Sequence, residues 1–142
     1  MIHSIIESIS RSIYTEFGDA YSICMEAKKQ GLKRPCFFIS CINPTDRLFL
    51  NRRYFRRNPF CIQYFPADSL RGNEECLEAA ERLFVCLEYL DVGGDWVMGT
   101  KMKYEVVDGI LHFFVNYDMF VYRTAETVPV MEEVSSETSV KG

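Results

Sequence analysis

Apolar residues recur every three or four positions near the start of the chain, and this spacing predicts an amphipathic helix over residues 2–17. The apolar stripe contains Ile5, Ile9 and Ile13, and the serines lie largely off it. Gly18 follows at the position where helices commonly end.

A second helical pattern covers residues 74–90. Asn73 is the expected N-cap, and Glu74 and Glu75 suit the positive end of a helix dipole. The glycine-containing segment 91–95 is expected to break the helix. The predicted buried stripe consists of Leu77, Ala80, Leu83, Phe84, Leu87 and Leu90.

Short runs rich in β-branched and aromatic residues predict three strands, over residues 21–27, 36–42 and 59–65. A basic loop is expected over 28–35, and a turn over 43–46. Segment 47–58 fits neither the helical nor the strand period, because its apolar pairs alternate with arginine pairs. It is expected to form either an extended arm or the two limbs of a hairpin.

The dipeptide Asp108-Gly109 lies between two β-rich runs, and Asp-Gly favours a two-residue hairpin turn. Residues 101–107 and 110–123 are therefore predicted to pair. Long strands without regular β-α alternation indicate an α+β fold, with an antiparallel or mixed sheet and two main helices packed on one face. The chain has 142 residues, so we expect a single domain over residues 1–123 and a flexible acidic tail over 124–142.

The sequence lacks the common catalytic and cofactor signatures. It contains no phosphate-binding glycine loop, and neither of its two histidines, His3 and His112, lies near a recognisable nucleophile. Glu74, Glu78 and Glu81 share one helix face, but such a face is usually solvated and does not predict a metal site. We therefore expect no enzymatic activity, no cofactor and no bound metal.

The six cysteines contain no C-x-x-C pair and lie in apolar stretches. This placement favours reduced, buried thiols and a reducing compartment over a disulfide framework. No targeting segment or membrane span is expected, because no apolar run reaches the length that either requires.

Charge is segregated along the chain. Residues 28–57 contain nine basic residues against Asp46, a net +8 (nine minus one). Residues 68–95 contain eight acidic residues against Arg71 and Arg82, a net −6 (eight minus two). Two opposed charged surfaces allow identical copies to meet head to tail, which produces a ring when the rotation closes.

The segment 51–66 combines arginines with aromatic residues, and three interpretations stay open. These residue types are enriched at protein interfaces, they also bind single-stranded nucleic acid, and they also occur as core residues beside a solvated strand edge. The candidate interface residues are Arg47, Arg52, Arg53, Tyr54, Phe55, Arg56, Arg57, Glu74, Glu75, Glu78 and Glu81.

Several long segments resemble the phage tail terminator family of prophages and phage-tail-like particles. They are QGLKRPCFFISCINP, NRRYFRRNPFCIQYFP, AERLFVCLEYL and GTKMKYEVVDGILHFFVNYDMFVYR, which together cover most of residues 17–123. These segments mix core and surface positions, so the resemblance assigns no role to a single residue.

The resemblance implies an α+β structural protein that forms a ring, typically a hexamer, on the head-proximal end of the tail tube. Such a ring ends growth of the tube and sheath and offers a docking surface for the connector. The implied partners are further copies of the chain, the tube protein, and a sheath or head-tail connector protein, with DNA only passing through the lumen. The implied location is the bacterial cytoplasm during assembly and then the virion or tail-like particle. The alternative is a small nucleic-acid-binding module that uses residues 47–66.

Overall fold

The computed structural model describes residues 2–24, 33–67 and 70–122, and it confirms the α+β class. Within these ranges the helices are α1 (Ile2–Phe17) and α2 (Gly72–Cys86). The strands are β1 (Ser22–Cys24), β2 (Cys36–Cys41), β3 (Thr45–Leu50), β4 (Arg53–Arg57), β5 (Pro59–Phe65), β6 (Tyr89–Val92), β7 (Asp95–Met98), β8 (Thr100–Val107), β9 (Ile110–Asn116) and β10 (Met119–Tyr122).

The described residues form two compact units, a larger one from the ranges 1–45 and 57–118 and a smaller one from residues 46–56 and 119–122. The single domain expected over residues 1–123 stays a prediction. The predicted tail, residues 124–142, lies outside the described residues, as does most of the predicted loop over 28–35.

A five-stranded mixed sheet forms the framework of the larger unit, with the strand order β1-β2-β5-β9-β8. Strands β1 and β2 are parallel, and the other neighbours are antiparallel. Alternate side chains of the three central strands are buried on one face: Phe37, Ile39, Phe60, Ile62, Tyr64, Leu111, Phe113 and Val115. This alternation is what a sheet covered on that face requires.

Both helices pack on this same face, as the sequence predicts. The ring of Phe17 in α1 lies 4.8 Å from that of Phe37, and the ring of Phe84 in α2 lies 5.0 Å from that of Phe113. Helix α1 has its predicted bounds and ends where Gly18 adopts a φ of 90° and donates its N–H to the carbonyl of Tyr14. The left-handed φ explains the glycine.

The predicted bounds of the second helix are wrong at both ends. Helix α2 begins at Gly72, with Arg71 as N-cap and no side-chain cap, so Asn73 lies inside the helix. It ends at Cys86, fourteen residues after Gly72. Leu77, predicted to be buried, is 48% exposed. Leu87 and Leu90 are buried as expected, but they belong to the C-cap and to β6.

The segment predicted to break the helix instead forms the turn of a hairpin. Strands β6 and β7 pair antiparallel, and Gly93 and Gly94 between them have φ of 61° and 93°. The helical spacing does not continue as a helix here, because the extended strand also buries Leu90 in the core. This tertiary packing outweighs the helix propensity of the segment.

The predicted turn at Asp108-Gly109 is confirmed, with φ of 54° and 73°. The strand predicted over 110–123 is interrupted after Asn116, and β10 joins a different sheet. The buried Tyr117 explains the interruption. Its hydroxyl donates to the carbonyl of Leu87 at 2.6 Å, and its N–H donates to the carbonyl of Asn58 at 3.0 Å.

Segment 47–58 forms the limbs of a hairpin, one of its two predicted forms. Strands β3 and β4 are hydrogen-bonded neighbours joined through Asn51 and Arg52, and Asn51 has a φ of 53°. The turn predicted over 43–46 is too long, because Thr45 and Asp46 already belong to β3.

Candidate assembly surfaces

The arginine-rich segment forms two strands of a three-stranded sheet with the order β10-β4-β3. In this sheet Arg53 lies opposite Tyr122, and Phe55 lies opposite Phe120. Side chains alternate between the faces of a strand, so these four residues lie on one face. We call them, together with the exposed Arg47 on the adjoining strand β3, the arginine face: Arg47, Arg53, Phe55, Phe120 and Tyr122.

Arginine–aromatic contacts organise the arginine face. The guanidinium carbon of Arg53 lies 4.0 Å from the ring centroid of Phe120 and 5.9 Å from that of Tyr122. The rings of Phe55 and Phe120 are 5.2 Å apart. Both distances to Arg53 are in the range of cation–π attraction. The side chain of Tyr122 is nevertheless 70% exposed, so the face presents an aromatic surface to solvent.

The opposite face of the sheet holds an ion pair between neighbouring strands. Arg56 donates from Nε and Nη2 to the two carboxylate oxygens of Asp46, at 2.6 and 3.0 Å. This hydrogen bonding raises the pKa of Arg56 above its usual value. Strand β3 also carries two exposed leucines, Leu48 and Leu50.

The predicted arginines therefore differ in their surroundings. Arg47, Arg52 and Arg57 are exposed, whereas Arg53 and Arg56 are half-buried and make the contacts described above. Tyr54 and Phe55 are also half-buried. The sequence correctly places these residues in one segment but does not separate the two faces.

The predicted acidic residues of α2 also divide into two kinds. Glu75 is half-buried and accepts hydrogen bonds from the Tyr64 hydroxyl at 2.9 Å and the Ala67 N–H at 3.2 Å. Burial, together with this carboxylate, raises the pKa of the Tyr64 hydroxyl. Glu74 lies 3.3 Å from Arg71 at an exposed site. Glu78 and Glu81 are exposed as well, so these two and Glu74 form an acidic surface.

The β6–β7 hairpin adds a surface that is not among the sequence-predicted residues. Tyr89 lies opposite Met98, and Asp91 lies opposite Trp96. These four residues share the outer face of the hairpin, and we call them the hairpin face. The inner face contains the buried Leu90. The Gly-Gly pair between two β-prone runs is the sequence signal that could have revealed it.

The histidine of β9 and the potential metal ligands can be placed in the described part of the chain. His112 lies 3.3 Å from the amide nitrogen of Gln63 on the adjacent strand. Within residues 2–24, 33–67 and 70–122, no three His, Cys, Asp or Glu side chains are close enough together to hold a metal ion.

All six cysteines are free thiols, and burial raises the pKa of Cys61 to about 11 and that of Cys86 to about 12. Neither α1 nor α2 has the length and hydropathy of a membrane span.

Comparison with known proteins identifies the group to which this fold belongs. The family model described as "Phage tail terminator protein" matches residues 4–129, which is most of the chain. A comparison with curated proteins found no match. The family is structural, and it associates the chain with phage tails. The chain belongs to the phage tail terminator family.

Proposed function

We propose that identical copies of this chain form a ring on the head-proximal end of the tail tube and end the growth of tube and sheath there. The proposal is supported by two surfaces of opposite charge on this member of the tail terminator family. One is the arginine-rich sheet, and the other is the acidic surface of α2. Opposed charges on identical subunits favour head-to-tail contacts, which close into a ring when the rotation permits.

In this proposal the exposed arginines contact a neighbouring subunit or the tube. Arg47 and Arg52 are exposed, so their guanidinium groups are available to an acidic partner. Glu78 and Glu81 on α2 supply the acidic partner surface. Charge pairs at the rim of such a contact set the encounter rate and the register more than the affinity.

The partners proposed are further copies of the chain, six being the expected number, together with the tube protein. A sheath or connector protein would dock on the free side of the ring, and DNA would pass through its lumen. Acidic residues facing the lumen would repel the DNA phosphates and so let the DNA slide. Assembly would take place in the bacterial cytoplasm, and the ring would then stay with the particle.

The test is a double charge reversal, Arg47→Glu with Arg52→Glu. Both side chains are exposed, so the variant should fold with a free energy of unfolding within about 0.5 kcal/mol of the wild type. Added to growing tubes, the wild type should shorten them and appear as a ring at one end by electron microscopy. The variant should leave tube length unchanged.

The matched control is Lys101→Glu with Lys103→Glu, which changes the charge equally at two exposed positions of β8. This control should still shorten tubes. Normal tube shortening and normal rings from the arginine variant would contradict the assignment of the arginines.

The exposed aromatic surface beside Arg53 also favours a second candidate function, the binding of single-stranded nucleic acid. That function requires a mobility shift with single-stranded DNA that weakens as salt rises. The absence of a mobility shift with the wild type at low salt would exclude nucleic-acid binding.

A further inference from the structure

The hairpin face exposes three large apolar side chains on a rigid support. Trp96 is 72% exposed, and Tyr89 and Met98 are also exposed. The hairpin beneath them is held in place by the buried Leu90 and by a hydrogen bond from the buried Ser8 hydroxyl to the carbonyl of Asp91, at 2.9 Å. Tryptophan, tyrosine and methionine on a fixed support are the residue types that anchor protein interfaces.

The charges around these anchors are acidic. Segment 85–98 contains Glu88, Asp91 and Asp95 and no basic residue, a net −3. Asp91 lies opposite Trp96 on the same face, and Glu88 and Asp95 are exposed. Arg11 reaches this region from α1, where its guanidinium lies 3.5 Å from the carbonyl of Asp91. The fitting partner is therefore an apolar or aromatic surface with a basic surround.

The arginine face has that chemistry. Segment 45–57 contains five arginines against Asp46, a net +4 (five minus one). Its aromatic surface is Tyr122 and Phe120, both exposed, with the half-buried Phe55 beside them. The face thus offers to Trp96 both aromatic rings and guanidinium groups that prefer to stack on an indole.

We propose that the hairpin face of one copy docks on the arginine face of the next copy, and that Trp96 is the anchor of this contact. The inference rests on the proposed ring and names the surfaces that join its subunits. The acidic residues of α2 then guide the encounter, while the burial of Trp96, Met98 and Tyr122 supplies most of the affinity.

The two surfaces are different, so the contact is heterologous, and this property gives a decisive experiment. Variant A carries Trp96→Ser and Met98→Ser, and variant B carries Arg47→Glu and Tyr122→Ser. All four side chains are exposed, so both variants should melt within a few degrees of the wild type. Variant A keeps an intact arginine face, and variant B keeps an intact hairpin face.

Sedimentation and native mass spectrometry should show the wild type as assemblies larger than a dimer. Each variant alone should be monomeric. An equimolar mixture of the two should give a 1:1 dimer and nothing larger, because the remaining two surfaces are both damaged. No dimer in the mixture, normal assembly of either variant alone, or a fully monomeric wild type would overturn the proposal.

The control removes apolar surface elsewhere, since Tyr14→Ser alters an exposed aromatic residue of α1. This variant should assemble like the wild type, and loss of its assembly would assign the contact to a different surface.

The experiments distinguish failure of this interface from failure of the proposed function. Tube shortening by the wild type without a dimer in the A–B mixture would retain the terminator ring and reject this interface. A dimer in the mixture, with no tube shortening by the wild type, would retain the interface and reject the proposed function.

Discussion

Gly99 is buried between β7 and β8 in a space that does not admit a methyl group. A Cβ atom there would lie 2.7 Å from the carbonyl oxygen of Leu87 and 2.9 Å from a methyl carbon of Val115. The N–H of Gly99 also donates to the carbonyl of Glu88 at 2.7 Å. The residue thus allows the β6–β7 hairpin to lie close to β9.

Gly99→Ala should lower the free energy of unfolding by about 1–3 kcal/mol, because the backbone carbonyl of Leu87 cannot move aside without disturbing its bond from Tyr117. Urea denaturation measures the change. The control is Gly72→Ala, whose added Cβ would lie an ordinary 3.5 Å from the nearest atom outside the helix, Pro66 Cγ. Its free energy of unfolding should change by less than about 1 kcal/mol. Equal effects of the two substitutions would contradict this account.

The hydrogen bonds of Asn58 and Glu75 could not be predicted from the sequence, because their partners lie in other parts of the chain. Asn58 is fully buried, and its side chain donates to the carbonyl of Tyr117, 59 positions later, at 3.1 Å. Glu75 was predicted as a surface acid, but it accepts a hydrogen bond from Tyr64 in the adjoining strand. Periodicity reports which face a residue occupies, and it carries no information on such partners.

At the scale of elements, the sequence predicts helices and turns that have a clear periodicity or turn signal. It does not predict the end of an element where two structures both suit the sequence. The bounds of α1 follow from a clean apolar stripe, and the Asp108-Gly109 turn follows from its required φ. The end of α2 does not follow, because Leu87 and Leu90 continue the helical spacing after the helix has ended. Only the tertiary structure decides between a fifth helical turn and a strand.

The ion pair between Asp46 and Arg56 links strands β3 and β4 of the three-stranded sheet. Asp46→Ala should destabilise β3 and β4 by about 1 kcal/mol, since the pair is bidentate and both side chains are partly shielded. Native-state hydrogen exchange should show faster exchange of amides in these two strands. Amides of β5 and β9 in the central sheet should keep their rates.

The control is Glu74→Ala, which removes the 3.3 Å ion pair with Arg71 at a highly exposed site. Its effect should be close to zero, because solvent screens such pairs. If Asp46→Ala leaves exchange in β3 and β4 unchanged, the pair does not hold the sheet.

At the scale of the whole molecule, the sequence correctly predicts the α+β class and the family. It also shows that charge is segregated, because that property needs only composition by segment. It does not show that the arginine segment is divided between two faces, since that division depends on β10 pairing with β4 from over 60 positions away. The sequence also did not predict the hairpin face, because Tyr89 and Leu90 of strand β6 continue the spacing of the predicted second helix.

The thiols of the buried Cys61 and the half-buried Cys86 make the folded chain less stable at alkaline pH. Burial raises the pKa of Cys61 to about 11 and that of Cys86 to about 12, from 9.0. As pH rises above 9, the unfolded chain loses these protons while the folded chain keeps them, so the free energy of unfolding must fall. Denaturation in the presence of a reductant should show this decrease between pH 9 and 10 (about one unit above the thiols' unfolded value).

The control for this titration is Cys61→Ala, which should make the decrease with pH shallower. Tyr64 and Tyr117, whose pKa values are also raised by burial, add to the decrease only above pH 10. Constant stability of the wild type from pH 8 to 10 would show that the thiols are not protected by the fold.

Strand β8 is a free edge of the five-stranded sheet in the described part of the chain, and it is irregular. A register shift lies between Thr100 and Lys103, Lys101 has a φ of 52°, and Lys101, Lys103 and Glu105 are exposed. Charges and a bulge on a boundary strand prevent another strand from adding to it. Copies of the chain are therefore hindered from pairing with one another at β8, and this edge is protected against growing into a continuous β-ribbon.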